Sequence, residues 1–340
     1  MANLETTYLG LKIKNPIVVG SSGLALDAEK ALLCEKAGAG AIVIPSIFEE
    51  HISSDFQKDS NEQFYGISHP EAYDYFYSDK ATRLGTRTYC DQIEKTKKAI
   101  SIPLIASINC YSSSVWVDFA KDVANAGADA IELNISYLPV TQIMENPNIY
   151  LDELKKVVKK IVKGISVPVS IKLPPAEFFI GTLASTFENS GAKGLVLFNR
   201  FMVPEINLDE MKVTAGINFS RNGDSAPSKR FIALLCKRTE CDLIGACGVH
   251  TSKDVISLIS LGANAVQMVS AIYKNGYVII QKISKELEEW MDHKNFSTIE
   301  DFRGRLSTDP EKRNNPFGRF QYVRMFEEKT PLIAVHKLDS

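Results

Sequence analysis

No CxxC pair occurs in this 340-residue sequence: its six cysteines stand apart at Cys34, Cys90, Cys110, Cys236, Cys241 and Cys247. With only five histidines, no zinc-ligand spacing emerges either, so no metal site is expected. Isolated thiols of this kind point to a reducing compartment. No lysine/arginine run or basic aromatic stripe is present and the net charge is −2, which argues against nucleic acid or an anionic membrane as the main partner. The opening MANLETTYLGLKIKNP has no signal-peptide apolar region, and no apolar run approaches bilayer-spanning length. The expectation is a cytoplasmic protein acting on a small molecule.

What is present is an internal echo. Ala37-Gly38-Ala39-Gly40-Ala41-Ile42-Val43 is followed by Ala126-Gly127-Ala128-Asp129-Ala130-Ile131-Glu132. It recurs as Ser190-Gly191-Ala192-Lys193-Gly194-Leu195-Val196 and as Leu261-Gly262-Ala263-Asn264-Ala265-Val266-Gln267. Each is a helix-closing glycine leading into a strand. Strands of another flavour lie between the echoes, at 102–107, 167–172 and 242–246, with Pro16-Ile17-Val18-Val19 at the front. Helical periodicity falls at 27–37, 88–100, 115–126, 151–164, 178–190, 227–238, 251–261 and 276–293. Alternating β and α units of this number predict a (β/α)8 barrel over 1–307. Residues 308–340 read as an extension packed on the barrel or on another subunit, leaving room for a homodimer. Two connections are long, 46–87 after strand 2 and 199–226 after strand 6, and both leave the face where barrels place their chemistry. The first is rich in aromatics, which fits a self-packed flap or a lid stacking on a flat ligand.

Strand parity selects the interior side chains. Ile131, Leu133 and Ile135 share one face, which puts Glu132, Asn134 and Ser136 inside. Val167, Val169, Ile171 and Leu173 likewise put Ser170 and Lys172 inside. A lysine in that position needs an anion: a ligand, or an internal partner such as Glu132. Asn134 offers donor and acceptor together, suited to the edge of a heterocycle or to a neighbouring strand end. Residues 243–273 read as strand, turn, helix, strand and the start of a second helix, with Thr251 or Ser252 as cap and Asp254 in the first turn. The two strand-to-helix turns could hold one phosphate between them.

Glu132-Leu133-Asn134-Ile135-Ser136 resembles the ELNxS strand of the dihydroorotate dehydrogenase family, and Ile171-Lys172-Leu173-Pro174-Pro175 that family's next strand. Asn15-Pro16-Ile17-Val18-Val19-Gly20-Ser21-Ser22-Gly23 is similar to its NPxxxASG opening, and 243–271 to its IIGxGGI…GAxxxQxGTA segment. Lys285–Glu289 and Ile299–Gly304 resemble its C-terminal helix and closing turn. The resemblance runs in order from about residue 4 to residue 306. It implies a (β/α)8 flavoprotein with FMN at the barrel mouth, oxidising a C–C bond beside a carbonyl in a pyrimidine ring. The flavin grips it implies are Ser21, Ser22, Asn134, Lys172, Gly248, Val249, Ser270 and Ala271. Asn134 and Asn199 would face the substrate, with Arg200, a departure from the pattern, as a further candidate there, and Lys172 would offset the charge that gathers on reduction.

The departures fall on the chemistry. Tyr137-Leu138-Pro139 stands where the family has a Cys or Ser base followed by Pro-Asn, leaving Tyr137, with Ser136 beside it, as the candidate proton carrier or else a packed lid residue. A phenol titrates near ~10 and would need activation for that work. Pro45 replaces the lysine that ends strand 2, and Arg200 replaces a small hydroxyl residue; it reads either as a new cation for an acidic substrate or the phosphate, or as an exposed loop arginine paired with solvent or Glu205. Cys247 and Val269 stand in place of two glycines in the phosphate turns. Two other readings stay open: a barrel that has lost flavin and serves as a binding or regulatory protein, and a lyase or isomerase using the phosphate grip on a sugar phosphate.

Overall fold

The computed structural model describes residues 1–48, 86–109, 113–135, 146–175, 179–200, 204–215, 219–307 and Phe317. The chain begins with a feature that no periodicity announces, a hairpin of β1 (Thr6–Tyr8) and β2 (Leu11–Ile13). Leu9 and Gly10 turn it with φ of 55° and 77°, the left-handed pair that suits a two-residue hairpin loop. Tyr8, Leu9 and Ile13 pack against Val18, Val43, Ile105, Val196 and Ile244, which are inward-facing residues of other strands. Leu9 N donates to Asp242 Oδ2 at 2.7 Å, at the N-terminal end of its strand. The hairpin therefore plugs the floor of the barrel, opposite the face that carries chemistry in this architecture.

The barrel itself is formed by β3 (Ile17–Val19), β4 (Ala41–Val43), β6 (Leu104–Asn109), β7 (Ala130–Asn134), β8 (Val169–Leu173), β9 (Gly194–Leu197), β12 (Asp242–Gly245) and β13 (Ala265–Met268). Parallel pairing runs β4-β3-β13-β12-β9-β8-β7-β6, and a β4–β6 pairing closes the ring. A short β5 (Ile47–Phe48) continues strand 2 beyond Pro45 and pairs with the end of β6. Helices follow the strands at Ala28–Lys36, Thr86–Ala99, Ser113–Asn125, Pro147–Gly164, Ile180–Glu188, Ala226–Leu235, Ser252–Ser260, Ser270–Asn275 and Val278–His293. Parity decides the two sides of the wall. Ile131, Leu133, Val169, Ile171 and Leu173 join the cluster under the helices, whereas Ala130 and Val196 join the interior one.

The echo has a physical basis at both of its ends. After each closing glycine the next residues enter a strand, and in two of the four repeats a polar side chain there holds the start of the strand beside it. Asp129 Oδ2 accepts from Leu104 N at 2.7 Å, and Asn264 Oδ1 from Leu243 N at 3.1 Å. In the first repeat the corresponding residue is Gly40, where a Cβ would lie 2.2 Å from Asn15 O. Asn15 does the holding instead: its Oδ1 accepts from Ile17 N at 3.0 Å and its Nδ2 donates to Gly38 O at 2.6 Å. The Asn-Pro opening thus serves the fold.

Within the second long connection, β10 (Pro204–Asn207) and β11 (Lys212–Ala215) form an antiparallel hairpin. The extension at 308–340, apart from Phe317, and the aromatic insert beyond Phe48 lie outside the described residues. Among the described residues no helix is long and apolar enough to cross a membrane, and no group of His, Cys, Asp and Glu is arranged to hold a metal ion.

Candidate active site

Successive strand ends bring polar side chains together round the barrel mouth. Ser21, after β3, and Ser107, on β6, both meet Ser46: Ser46 Oγ lies 3.2 Å from Ser21 Oγ and 2.7 Å from Ser107 Oγ. Asn134 Nδ2 donates to Ser46 Oγ at 3.4 Å, and Asn134 Oδ1 accepts from Asn199 Nδ2 at 2.6 Å. Asn199 Oδ1 in turn accepts from Arg200 N at 2.8 Å. The strip is buried throughout, with Ser21, Ser46, Ser107, Asn134 and Asn199 at most 4% exposed. Pro45 contributes through its carbonyl, which together with Ser107 O accepts from the buried Tyr89 hydroxyl, each at 2.9 Å. Tyr89 ties the proline-containing bend to β6 where a lysine side chain is absent. The Ser22 hydroxyl donates to Gly20 O at 3.0 Å, at the end of β3.

Lys172 stands beside this strip, in register with Asn134. Its Nζ is 3.6 Å from Glu132 Oε1, and the two side chains are 6% and 0% exposed. The internal pair anticipated from parity is therefore present. It also brings the ammonium to the mouth, because Lys172 is the penultimate residue of its strand. Gln267 reaches Glu132 from β13, its Nε2 donating to Oε2 at 2.5 Å. Below them the buried Tyr8 phenol is pushed up, first by burial and then by the Glu132 charge, so it stays neutral.

The other half of the site is the pair of turns after β12 and β13. Cys247 and Gly248 have φ of 65° and 72°, consecutive residues of positive φ that bend the chain sharply after β12. Thr251, not Ser252, caps the helix Ser252–Ser260 in a capping box with Asp254; the Ser252 hydroxyl donates to Glu286 Oε2 at 2.7 Å. Main-chain N–H groups of Gly248, Val249, Ser270 and Ala271 meet no protein acceptor among the described residues. Val269 leans toward Gly20, where its Cγ2 would lie 2.9 Å from an added Cβ.

A strap from the second long connection, residues 219–225, lies over both turns. Ser220 N donates to Ser270 Oγ at 3.0 Å, Ser220 Oγ is 2.9 Å from His250 Nε2, and Lys274 Nζ donates to Ser220 O at 2.7 Å. Burial, and then Lys274, lower the His250 pKa below its usual value and favour the neutral ring. On the other turn, a Cβ on Gly248 would lie 2.3 Å from Ser225 N, so glycine is required here for the strap to approach. Arg200 Nη1 pairs with Asp224 Oδ2 at 3.2 Å, which corrects the expectation of a partner at Glu205: the strap brings an acid closer. Burial raises the Cys247 thiol above its ordinary value, so it is no ready nucleophile.

Asp254 anchors this region. Its Oδ2 accepts from His250 N at 3.2 Å and Thr251 N at 3.1 Å, and its Oδ1 from Lys229 Nζ at 2.8 Å. Burial pushes the carboxyl up, but Lys229, the Thr251 hydroxyl and the His250 N–H outweigh it and hold the group below its ordinary value. A carboxyl lowered in this way stabilises the fold fully above the unfolded value of ~3.9 and loses that contribution as pH falls through the folded value. Asp254→Asn is expected to lose about 2 kcal/mol at neutral pH. In urea unfolding, the gap from the parent protein should stay constant between about pH 5 and 8 and close below about pH 4. A gap unchanged in acid would contradict the assignment.

The fold thus gathers Ser21, Asn134, Lys172, Asn199, Gly248, Val249, Ser270 and Ala271 on one face, with Arg200 at its edge. Ser136 and Tyr137 lie outside the described residues. Ser46, Ser107 and Gln267 are additional members. Parity on β6 and β13 marks Ser107 and Gln267 as inward polar residues; Ser46 lies in a bend where parity gives no signal. Bare N–H groups at two adjacent turns, a hydroxyl at Ser270 and a polar strip ending in an ammonium are a donor set that fits FMN: the turns would take its phosphate, and Asn134, Lys172 and Ser21 its ring.

The dihydroorotate dehydrogenase family model matches residues 81–291. Dihydroorotate dehydrogenase B (NAD(+)), catalytic subunit, of Thermoplasma acidophilum is 27% identical over 315 residues, covering 89% of this chain and 99% of that protein. Dihydroorotate dehydrogenase A (fumarate) of Lactobacillus helveticus is 26% identical over 303 residues, covering 85% and 95% respectively. With its closed barrel and the match over more than half its length, the chain belongs to the dihydroorotate dehydrogenase family.

Proposed function

We propose that this chain is an FMN-dependent oxidoreductase that passes a hydride between flavin and a C–C bond beside a carbonyl in a small, pyrimidine-like substrate. The observation that carries the reading is the placement of Lys172 Nζ at the barrel mouth, beside the buried Ser46, Asn134 and Asn199 strip and on the same face as the bare N–H turns. When bound, the flavin supplies the two-electron chemistry. Gly248, Val249, Ser270 and Ala271 hold its phosphate by main-chain donors. Lys172 presents a cation where negative charge gathers, and Asn134, locked to Asn199 at 2.6 Å, keeps one amide edge fixed against a heterocycle. Tyr137 is the proposed proton carrier.

The Arg200 charge is matched by Asp224, so an acidic substrate would have to compete for it. This favours a ring recognised through its amide edge over one held by a carboxylate clamp. The test is anaerobic mixing of the yellow protein with dihydroorotate and with dihydropyrimidines that lack its carboxylate. Bleaching of the flavin by a member of this set is expected, with the uncharged rings at least as fast as dihydroorotate. Flavin that dithionite bleaches and none of these compounds does would remove the substrate class.

A further inference from the structure

We propose that Glu132 and Gln267 act together as positioning residues beneath Lys172, setting how strongly the barrel mouth favours reduced over oxidised flavin. The proposal rests on the flavin reading above and concerns Glu132, which lies deeper in the barrel than the mouth strip, and Gln267, which binds it.

Its basis is a polar column inside the barrel. Glu132 lies two residues before Asn134 on β7, hence deeper than the mouth strip, and is fully buried. Gln267 comes from β13, four strands round the ring and so on the far wall. Its amide holds Glu132 Oε2 at 2.5 Å while Oε1 stands 3.6 Å from Lys172 Nζ. The amide therefore decides how much of the carboxylate faces the lysine. A structural pair needs only contact. This one spans the barrel: Gln267 holds Oε2 from the far wall, and the other oxygen, Oε1, faces the ammonium at 3.6 Å, beyond hydrogen-bond distance.

The electrostatic consequence has a definite sign. An ammonium beside a ring favours the electrons added on reduction, and a carboxylate behind the ammonium discounts that effect. Glu132→Gln removes the discount and keeps the shape, so reduced flavin should be favoured more. Gln267→Met releases Oε2, letting both oxygens turn toward Lys172, so reduced flavin should be favoured less. Opposite shifts from two neighbouring substitutions are something general loosening of the core would not produce.

The experiment measures the midpoint potential of bound FMN by equilibration with a reference dye, alongside thermal unfolding, for the parent holoprotein and both variants. Glu132→Gln is expected to raise the ratio of reduced to oxidised affinity about tenfold, about 30 mV for a two-electron couple. Gln267→Met should move the potential in the opposite direction. If Glu132→Gln does not fold, a downward shift in Gln267→Met supports the proposal and an unchanged or upward one overturns it. Lower melting temperatures with parent potentials in both variants would leave the pair a structural one. A parent protein that takes up no FMN would instead overturn the flavin reading, and this proposal with it.

Discussion

Lys172→Met is expected to slow reduction of bound flavin by a factor of about 100 to 1,000, the range seen when a preorganised electrostatic partner is removed from an active site. It is also expected to cost about 3–5 kcal/mol of stability, because the substitution removes the cation that offsets the fully buried Glu132. The two effects separate by method: stopped-flow bleaching reads the first and urea unfolding the second. Pairing Lys172→Met with Glu132→Gln should recover much of the stability and none of the rate. A single variant that unfolds like the parent would mean that the buried pair is worth little; one that is reduced at the parent rate would take Lys172 out of the chemistry.

Gly248→Ala is the second large expectation. At φ of 72° any L-residue is strained by about 1–2 kcal/mol, and here the new Cβ would also lie 2.3 Å from Ser225 N and 2.6 Å from Asp224 C. Both neighbours are backbone, so either the strap or the turn must shift, and the Gly248 and Val249 N–H groups move with the turn. FMN affinity should fall about 100-fold, equivalent to about 2.7 kcal/mol. Gly276→Ala is the internal control. Its φ is 74° but nothing lies within 4 Å of the added Cβ. With ψ of 171° it should cost backbone strain alone, about 1–3 kcal/mol in thermal unfolding, with FMN affinity unchanged. Equal losses of affinity in the two variants would show that the turn after β12 has no special part in binding.

These expectations depend on contacts of different legibility in the sequence. The barrel was readable because its units repeat: a closing glycine, a small residue and a buried strand leave the same trace four times. Lys172 and Glu132 were readable because parity on a strand with one apolar face leaves the alternate residues nowhere but inside. The floor hairpin was not, since Thr6–Tyr8 and Leu11–Ile13 are three residues each and too short to show a period. Ser46 follows a proline bend, where alternation is interrupted. The strap is the largest omission. Ser220 meets Ser270 across 50 positions and His250 across 30, and Asp224 meets Arg200 across a connection with no periodicity of its own. That loop decides whether Arg200 is a free cation and whether Gly248 is open. Spacing alone therefore marked the two strand-to-helix turns but not the strap that lies over them.

The central claim is that the two turns and the strip at the barrel mouth hold FMN. Its most direct test is a titration of protein stripped of bound small molecules with FMN, followed by quenching of flavin fluorescence. The account predicts saturable quenching at one FMN per chain, weakened in Gly248→Ala and retained in Gly276→Ala. Flavin fluorescence that stays at its free value throughout the titration, with a protein that is folded by its unfolding curve, would contradict it.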